Sequence, residues 1–128
     1  MNLKEYFEST KGMGVLSTAD DQGQVNAAVY ARPHVLEDGN VAFIMRDRLS
    51  HHNLQSNPRA AYLFREKGAG YGGLRLHMTK VHEESGTPRV REICRRCRID
   101  DDPNAVRFMV AFKIDKELPL IGPGEPPE

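Results

Sequence analysis

Runs of alternating or continuous apolar residues, separated by short polar turns, set the expected elements of this chain. Asn2 to Thr10 carries Leu3, Tyr6 and Phe7 at helical spacing, with Asn2 as N-cap and Glu5 three residues later. Lys11-Gly12 ends that helix and the period changes. Gly14 to Ala19 is strand-like, Asp20-Asp21-Gln22-Gly23 is a hairpin-type turn, and Gln24 to His34 runs on as a second strand. Glu37-Asp38-Gly39-Asn40 is the next turn signal, before the continuous apolar run Val41 to Met45. Asn57-Pro58 stops a short helix, because the residue before a proline is pushed out of the α region. Arg59 to Phe64 is again strand-like.

Four glycines in Arg65 to Gly73 make a loop. Leu74 to Glu84 alternates loosely and reads as a long strand. Thr87 and Pro88 suit the N-cap and first position of a helix running to about Arg98. After the break at Ile99 to Asn104, Ala105 to Ile114 forms a final strand. Six strands with short connections and few helices predict a mainly β protein, a small six-stranded antiparallel barrel. Residues 1–118 form the expected domain. Residues 119–128 form a Pro/Gly-rich tail with four prolines and two glycines.

At 128 residues the chain has the size of one domain with one core. Eighteen basic and 18 acidic residues cancel, so no global field recruits nucleic acid or an acidic membrane. No apolar run has the length of a membrane span and the first residues do not read as a signal peptide, so the expected compartment is the cytoplasm. Any anion site must come from a local cluster. The turn and helix start after Met45 provide one: Arg46, Arg48, Ser50, His51 and His52 bring donors and positive charge together. Taken alone, the same residues also fit a solvated turn whose serine caps a helix. Cys94-x-x-Cys97 falls inside a predicted helix and reads as two small residues on its buried face. Arg89, Arg91, Arg95, Arg96 and Arg98 on that helix read as a solvated face, partly paired with Asp100 to Asp102.

Several short patterns, in this order, carry a family resemblance. They are Gly14-Val-Leu-Ser-Thr-Ala19 followed by Asp21-x-Gly23, then Asn26-Ala-Ala-Val29, then Asp38-Gly39 before Val41-Ala-Phe. Leu49-Ser-His-His-Asn-Leu-x-x-Asn-Pro-Arg59 is similar to a Ser-Lys-Thr-x-x-Asn-Leu-x-x-Asn-Pro-Arg-Val motif. The chain thereby resembles the pyridoxamine 5′-phosphate oxidase-like flavoproteins, the FMN-binding split β-barrels, and in particular their short single-domain members. The element order matches from Tyr6 to Lys113.

The resemblance implies a homodimer holding FMN between its protomers. It places Asn26, Ala27, Ala28, Val29 and Tyr30, with Ile44 and Met45, beside the ring. It makes Ser50, His51 and His52 phosphate contacts, with Arg46 or Arg48 next to them, and brings Tyr71 in from the other subunit. A flavin-dependent oxidoreductase follows, acting on a small-molecule redox substrate or electron donor. The alternatives are an FMN-holding electron-transfer or sensing module, and a cofactor-free interaction domain that uses the arginine-rich helix. Barrels of this type also resemble binders of deazaflavin and haem. Two departures shape the expectation. His51 and His52 stand where the family commonly offers Lys or Arg, so FMN affinity is expected to weaken above neutral pH. The chain has no tryptophan and lacks the C-terminal arginine pattern of the true oxidase's substrate pocket. The resemblance therefore extends to the cofactor site and not to that enzyme's own reaction.

Overall fold

A computed structural model of the protein describes residues 2–97 and 106–122, with side chains followed to residue 93 in the last helix. The elements in chain order are α1 (Leu3–Ser9), β1 (Gly12–Ala19), β2 (Val25–Val29), β3 (His34–Val35) and β4 (Val41–Arg46). They continue with α2 (Leu49–Ser56), β5 (Arg59–Glu66), β6 (Gly73–Ser85), α3 (Pro88–Cys97) and β7 (Arg107–Pro119). All strands join one antiparallel sheet in the order β2-β1-β5-β6-β7-β4-β3.

The mainly antiparallel β fold is the expected one, with two corrections. Among the described residues there are seven strands and not six, and the sheet is not closed, since β2 and β3 end the strand order. The extra strand comes from the expected Gln24–His34 run, which breaks after Val29. Pro33 has no N–H to give a ladder and fixes its own φ, so pairing stops and resumes only at His34, opposite Ala42. The final strand runs five residues beyond the expected Ile114, because β6 offers partners as far as Leu74, opposite Pro119. Two register shifts in β6, between His77 and Met78 and between Lys80 and His82, bend this long pair. The start of the tail is tied down: Arg75 Nε donates to the Pro119 carbonyl at 2.9 Å, and its guanidinium also reaches the Gly122 carbonyl.

Inward-facing side chains of the strands form one aromatic-rich core around Phe43, Tyr62, Phe64 and Phe112, each at most 2% exposed. Helix α1 covers it by inserting Phe7 edge-on against Phe64, with ring centroids 5.5 Å apart. As expected, Asn2 is the N-cap of α1, and its side chain accepts from the Glu5 amide at 3.2 Å. Helix α2 packs over β1 through a buried polar contact, Asn53 Nδ2 donating to Thr18 Oγ1 at 3.1 Å. Thr18→Val removes that acceptor while keeping the shape, and should cost about 1–3 kcal/mol by stranding a buried amide. Urea unfolding checks it, and an unchanged midpoint would show that Asn53 has another partner.

A smaller apolar cluster of Ala42, Ile44, Val90 and Met109 fixes α3 on the opposite face of β4 and β7. Thr87 caps this helix by accepting from the Val90 amide at 3.2 Å. Arg89 pairs with Glu84 at 2.8 Å, and Arg91 donates to the Gly86 carbonyl at 2.7 Å. The side chains of Cys94, Arg95, Arg96 and Cys97, Arg98, and Asp100 to Asp102 lie outside the described residues. No helix among the described residues is long and apolar enough to cross a membrane.

Candidate functional site

Strands β2 and β4 face each other without pairing, near opposite ends of the strand order. Between them, closed at one end by the start of α2, lies a groove of about 300 Å³. β2 and the residue after it supply Asn26, Ala28, Val29 and Tyr30, and β4 supplies Ile44 and Arg46. Arg48 and Ser50 close it from the turn and the helix. Two guanidinium groups and two hydroxyls thus converge on a partly apolar slot, and no carboxylate is among its lining residues. A larger hollow of about 550 Å³ lies across the β1–β5–β6 face. There Arg59 and Lys116 share the wall with Asp115, so its charge is mixed and it concentrates no single ligand chemistry.

The local sequence explains the cationic end. Arg48 occupies the N-cap of α2 in an extended conformation (φ −130°, ψ −165°) and gives no side-chain cap. The alternative reading of a solvated turn has the serine as the cap. Instead Ser50 is already inside the helix, 4% exposed, and interacts with the Tyr30 hydroxyl. Burial pushes the Tyr30 phenol up, partly offset by its hydrogen bond with Ser50 and by the charge of Arg48. The first-turn amides of α2 therefore end beside two arginines without a capping side chain, which is an anion-binding arrangement.

Four expected residues stand elsewhere. Met45 is 1% exposed within the main core, the alternation of β4 turning it away from the groove. Ala27 is on the exposed face of β2, and His52 is exposed on α2. Tyr71, expected at the groove of the other subunit, projects from the β5–β6 loop, 73% exposed, with the Arg65 guanidinium 6.0 Å from its ring. His51 is the most informative: it is 6% exposed, with Nδ1 3.1 Å from Asp47 and Nε2 2.9 Å from Glu83. A ring held between two carboxylates has no free nitrogen for a phosphate, so this protomer's groove draws its positive charge from Arg46 and Arg48.

Asp47 and Glu83 are not among the residues that the sequence patterns single out. Asp47 was visible as the residue between the two arginines, but Glu83 is 32 positions from His51 and no local pattern links them. Burial acts to raise the Glu83 carboxyl. Hydrogen bonds from His51, Lys80 and Gln55 outweigh that and hold it down at about 2, against an ordinary 4.5. A depressed folded-state value means that this stabilisation is present above pH 4.5 and is lost as pH falls towards 2. Glu83→Gln should therefore be less stable than wild type at pH 7, with the difference in urea midpoint shrinking through that acid range. A difference that does not change with pH would show that the charge is not what matters.

The comparisons bear on the fold. No family model matches the sequence, and no curated protein matches it as a relative. Solved structures do match. An FMN-binding protein from Syntrophomonas wolfei superposes with a TM-score of 0.70 at 17% identity, covering 93% of this chain and 84% of that one. A protein of Lactobacillus delbrueckii described as a candidate pyridoxamine 5′-phosphate oxidase gives 0.69 at 13% identity, covering 92% of both chains. HutZ, the haem storage protein of Vibrio cholerae, gives 0.62 at 15% identity, covering 84% of this chain and 85% of that one. These likenesses show a shared fold, the split barrel of the FMN-binding and pyridoxamine 5′-phosphate oxidase-like proteins.

Proposed function

We propose, from the premise that the chain has this split-barrel fold, that it is an FMN-binding flavoprotein and acts as an oxidoreductase on a small redox partner. The observation that carries the reading is the groove. Eight of the residues that the family resemblance singles out line one slot, and the slot's chemistry suits a phosphate at one end and a flat ring at the other. Arg46, Arg48, Ser50 and the first amides of α2 would hold the phosphate. Asn26, Ala28, Val29, Tyr30 and Ile44 would flank the ring. Bound there, FMN would supply the hydride and single-electron chemistry, while the chain binds it, orients it and excludes water.

A second copy of the chain fits the same reading. About 300 Å³ is at the lower end of ligand-site volumes, which would leave a second protomer to complete the enclosure of a flavin. Alongside it, the outward face of β2, β1 and β5 places Val29, Val15 and Leu63 in register. Val25 and Val29 there are 82% and 71% exposed. An apolar sheet face of this kind marks an association surface, and homodimerisation through it would cover the open side of the groove.

Visible absorbance during titration with FMN tests the cofactor, and light scattering on the same sample tests the dimer. The expected result is one FMN per chain at micromolar concentrations with a perturbed flavin spectrum, in a particle of two chains. Stopped-flow reduction by nicotinamide cofactors, with and without small acceptors, then separates an enzyme from an electron carrier. Absence of FMN binding at those concentrations would overturn the reading, and a Soret band after incubation with haem would replace it.

A further inference from the structure

Asp47 stands between the two groove-lining arginines, and His51 connects it to β6, two strands from β4 in the sheet. The imidazole is sandwiched between elements: Asp47 of the turn lies 3.1 Å from Nδ1, and Glu83 of β6 lies 2.9 Å from Nε2. Phe108 of β7 stacks on the ring at 3.9 Å with an interplanar angle of 13°. Ionised carboxylates accept hydrogen bonds and cannot donate them, so each contact is a hydrogen bond when the ring nitrogen facing it carries a proton.

The neighbouring groups agree with that assignment. Gln55 of α2 also lies 3.2 Å from Nε2, but its amide protons are directed to the His51 carbonyl at 3.0 Å and to Glu83 Oε1 at 3.1 Å. Lys80 of β6 donates to Glu83 Oε1 at 2.9 Å. Nε2 is therefore the donor to Glu83 Oε2. Arg46 and Arg48 flank Asp47 along the chain, and the β7 side offers the apolar ring of Phe108.

We propose that His51, as an imidazolium between Asp47 and Glu83, is a positioning residue that clamps the Arg46–Asp47–Arg48 turn to β6 and so presets the anion end of the groove. Loss of one proton leaves a lone pair facing a carboxylate. Two acceptors at hydrogen-bond distance repel, one contact opens, and the turn is released with its two arginines. The inference rests on the reading of the groove as a phosphate site, and it replaces direct phosphate contact by His51 with an indirect role.

The experiment compares FMN affinity of wild type and His51→Gln at pH 6 and constant ionic strength. The phosphate gains its second charge near pH 6 in both proteins, so the ratio of the two Kd values isolates His51. Wild type should bind about tenfold more tightly at pH 6, within the usual range of coupling between a positioning group and a ligand. Equal Kd values for the two proteins overturn the proposal.

Nitrogen-15 NMR of the ligand-free protein provides an independent arm. Two protonated ring nitrogens on His51 are expected at pH 6, and a ring with one proton overturns the proposal whatever FMN does. If wild type binds no FMN at any pH, the flavin reading falls separately. The clamp is then decided by the ring protonation and by exchange of the Arg48 and His52 amides, which bond to the Arg46 and Arg48 carbonyls at 2.9 Å. These amides should exchange at least about tenfold faster in His51→Gln, and equal protection would overturn the clamp.

Discussion

Gly14→Ala is expected to destabilise the protein by about 3 kcal/mol or more, a large effect for one added methyl group. A Cβ at Gly14 would lie 1.8 Å from the Tyr62 hydroxyl and 2.3 Å from its Cζ. Tyr62 cannot give way. It is fully buried, packs against Phe43 with ring centroids 4.9 Å apart, and donates its hydroxyl proton to the Tyr30 carbonyl at 3.1 Å. The Gly14 carbonyl in turn accepts from the Tyr30 amide at 3.0 Å. The close approach of β1 to Tyr62 is thus what places Tyr30 at the groove, and the variant should lose ligand affinity along with stability. Gly23→Ala is the contrast. Its site is open, and only a φ of +80° opposes the side chain, so the cost should be about 1 kcal/mol. Urea unfolding of both variants measures the difference. Equal midpoints would mean that the β1–Tyr62 contact is not tight in solution.

Replacing both groove arginines, Arg46→Gln with Arg48→Gln, is expected to raise the Kd for FMN by about 100-fold or more. Each hydrogen bond from a charged donor contributes about 1.5–3 kcal/mol, roughly one to two factors of ten. The two side chains sit on different supports, one on the end of β4 and one on the N-cap of α2. Their single variants should accordingly lose less than the pair. His52→Ala, on the exposed face of the same helix, should leave affinity as it is. Fluorescence titration of FMN against wild type and the four variants distinguishes these outcomes. Wild-type affinity in the double variant would move the phosphate away from this end of the groove.

Much of the fold was legible because the chain punctuates itself. Asn2 and Glu5 mark the first helix, Asp38-Gly39 the turn before β4, and Asn57-Pro58 the end of α2. What escaped was set by distant partners. β7 outruns its apolar pattern because β6 is there to pair with it, and β3 exists as a strand only because Ala42 and Val41 stand opposite His34 and Val35. The site divides the same way. Residue types and local spacing pointed to the Arg46–Ser50 turn, but they could not say which face of each element looks into the groove. Met45 follows the alternation of a strand buried on both sides, and His51 turns towards a carboxylate 32 residues away. A run of polar residues in sequence shows which donors are available and leaves open where each one points.

The open seam between β2 and β4 also bears on synthesis. Every groove residue lies between positions 26 and 50, within the first half of the chain. Yet β4 has only two ladder neighbours, the two-residue β3 and β7, whose Arg107–Pro119 segment comes far later. A ribosome that has delivered the whole binding sequence has still not delivered the strand that holds one wall upright. Pairings of this span are slow to form, on the order of milliseconds to seconds for such sheets. A ligand in the seam would therefore recognise the finished molecule, and a chain cut short before Arg107 would carry every contact residue without a site.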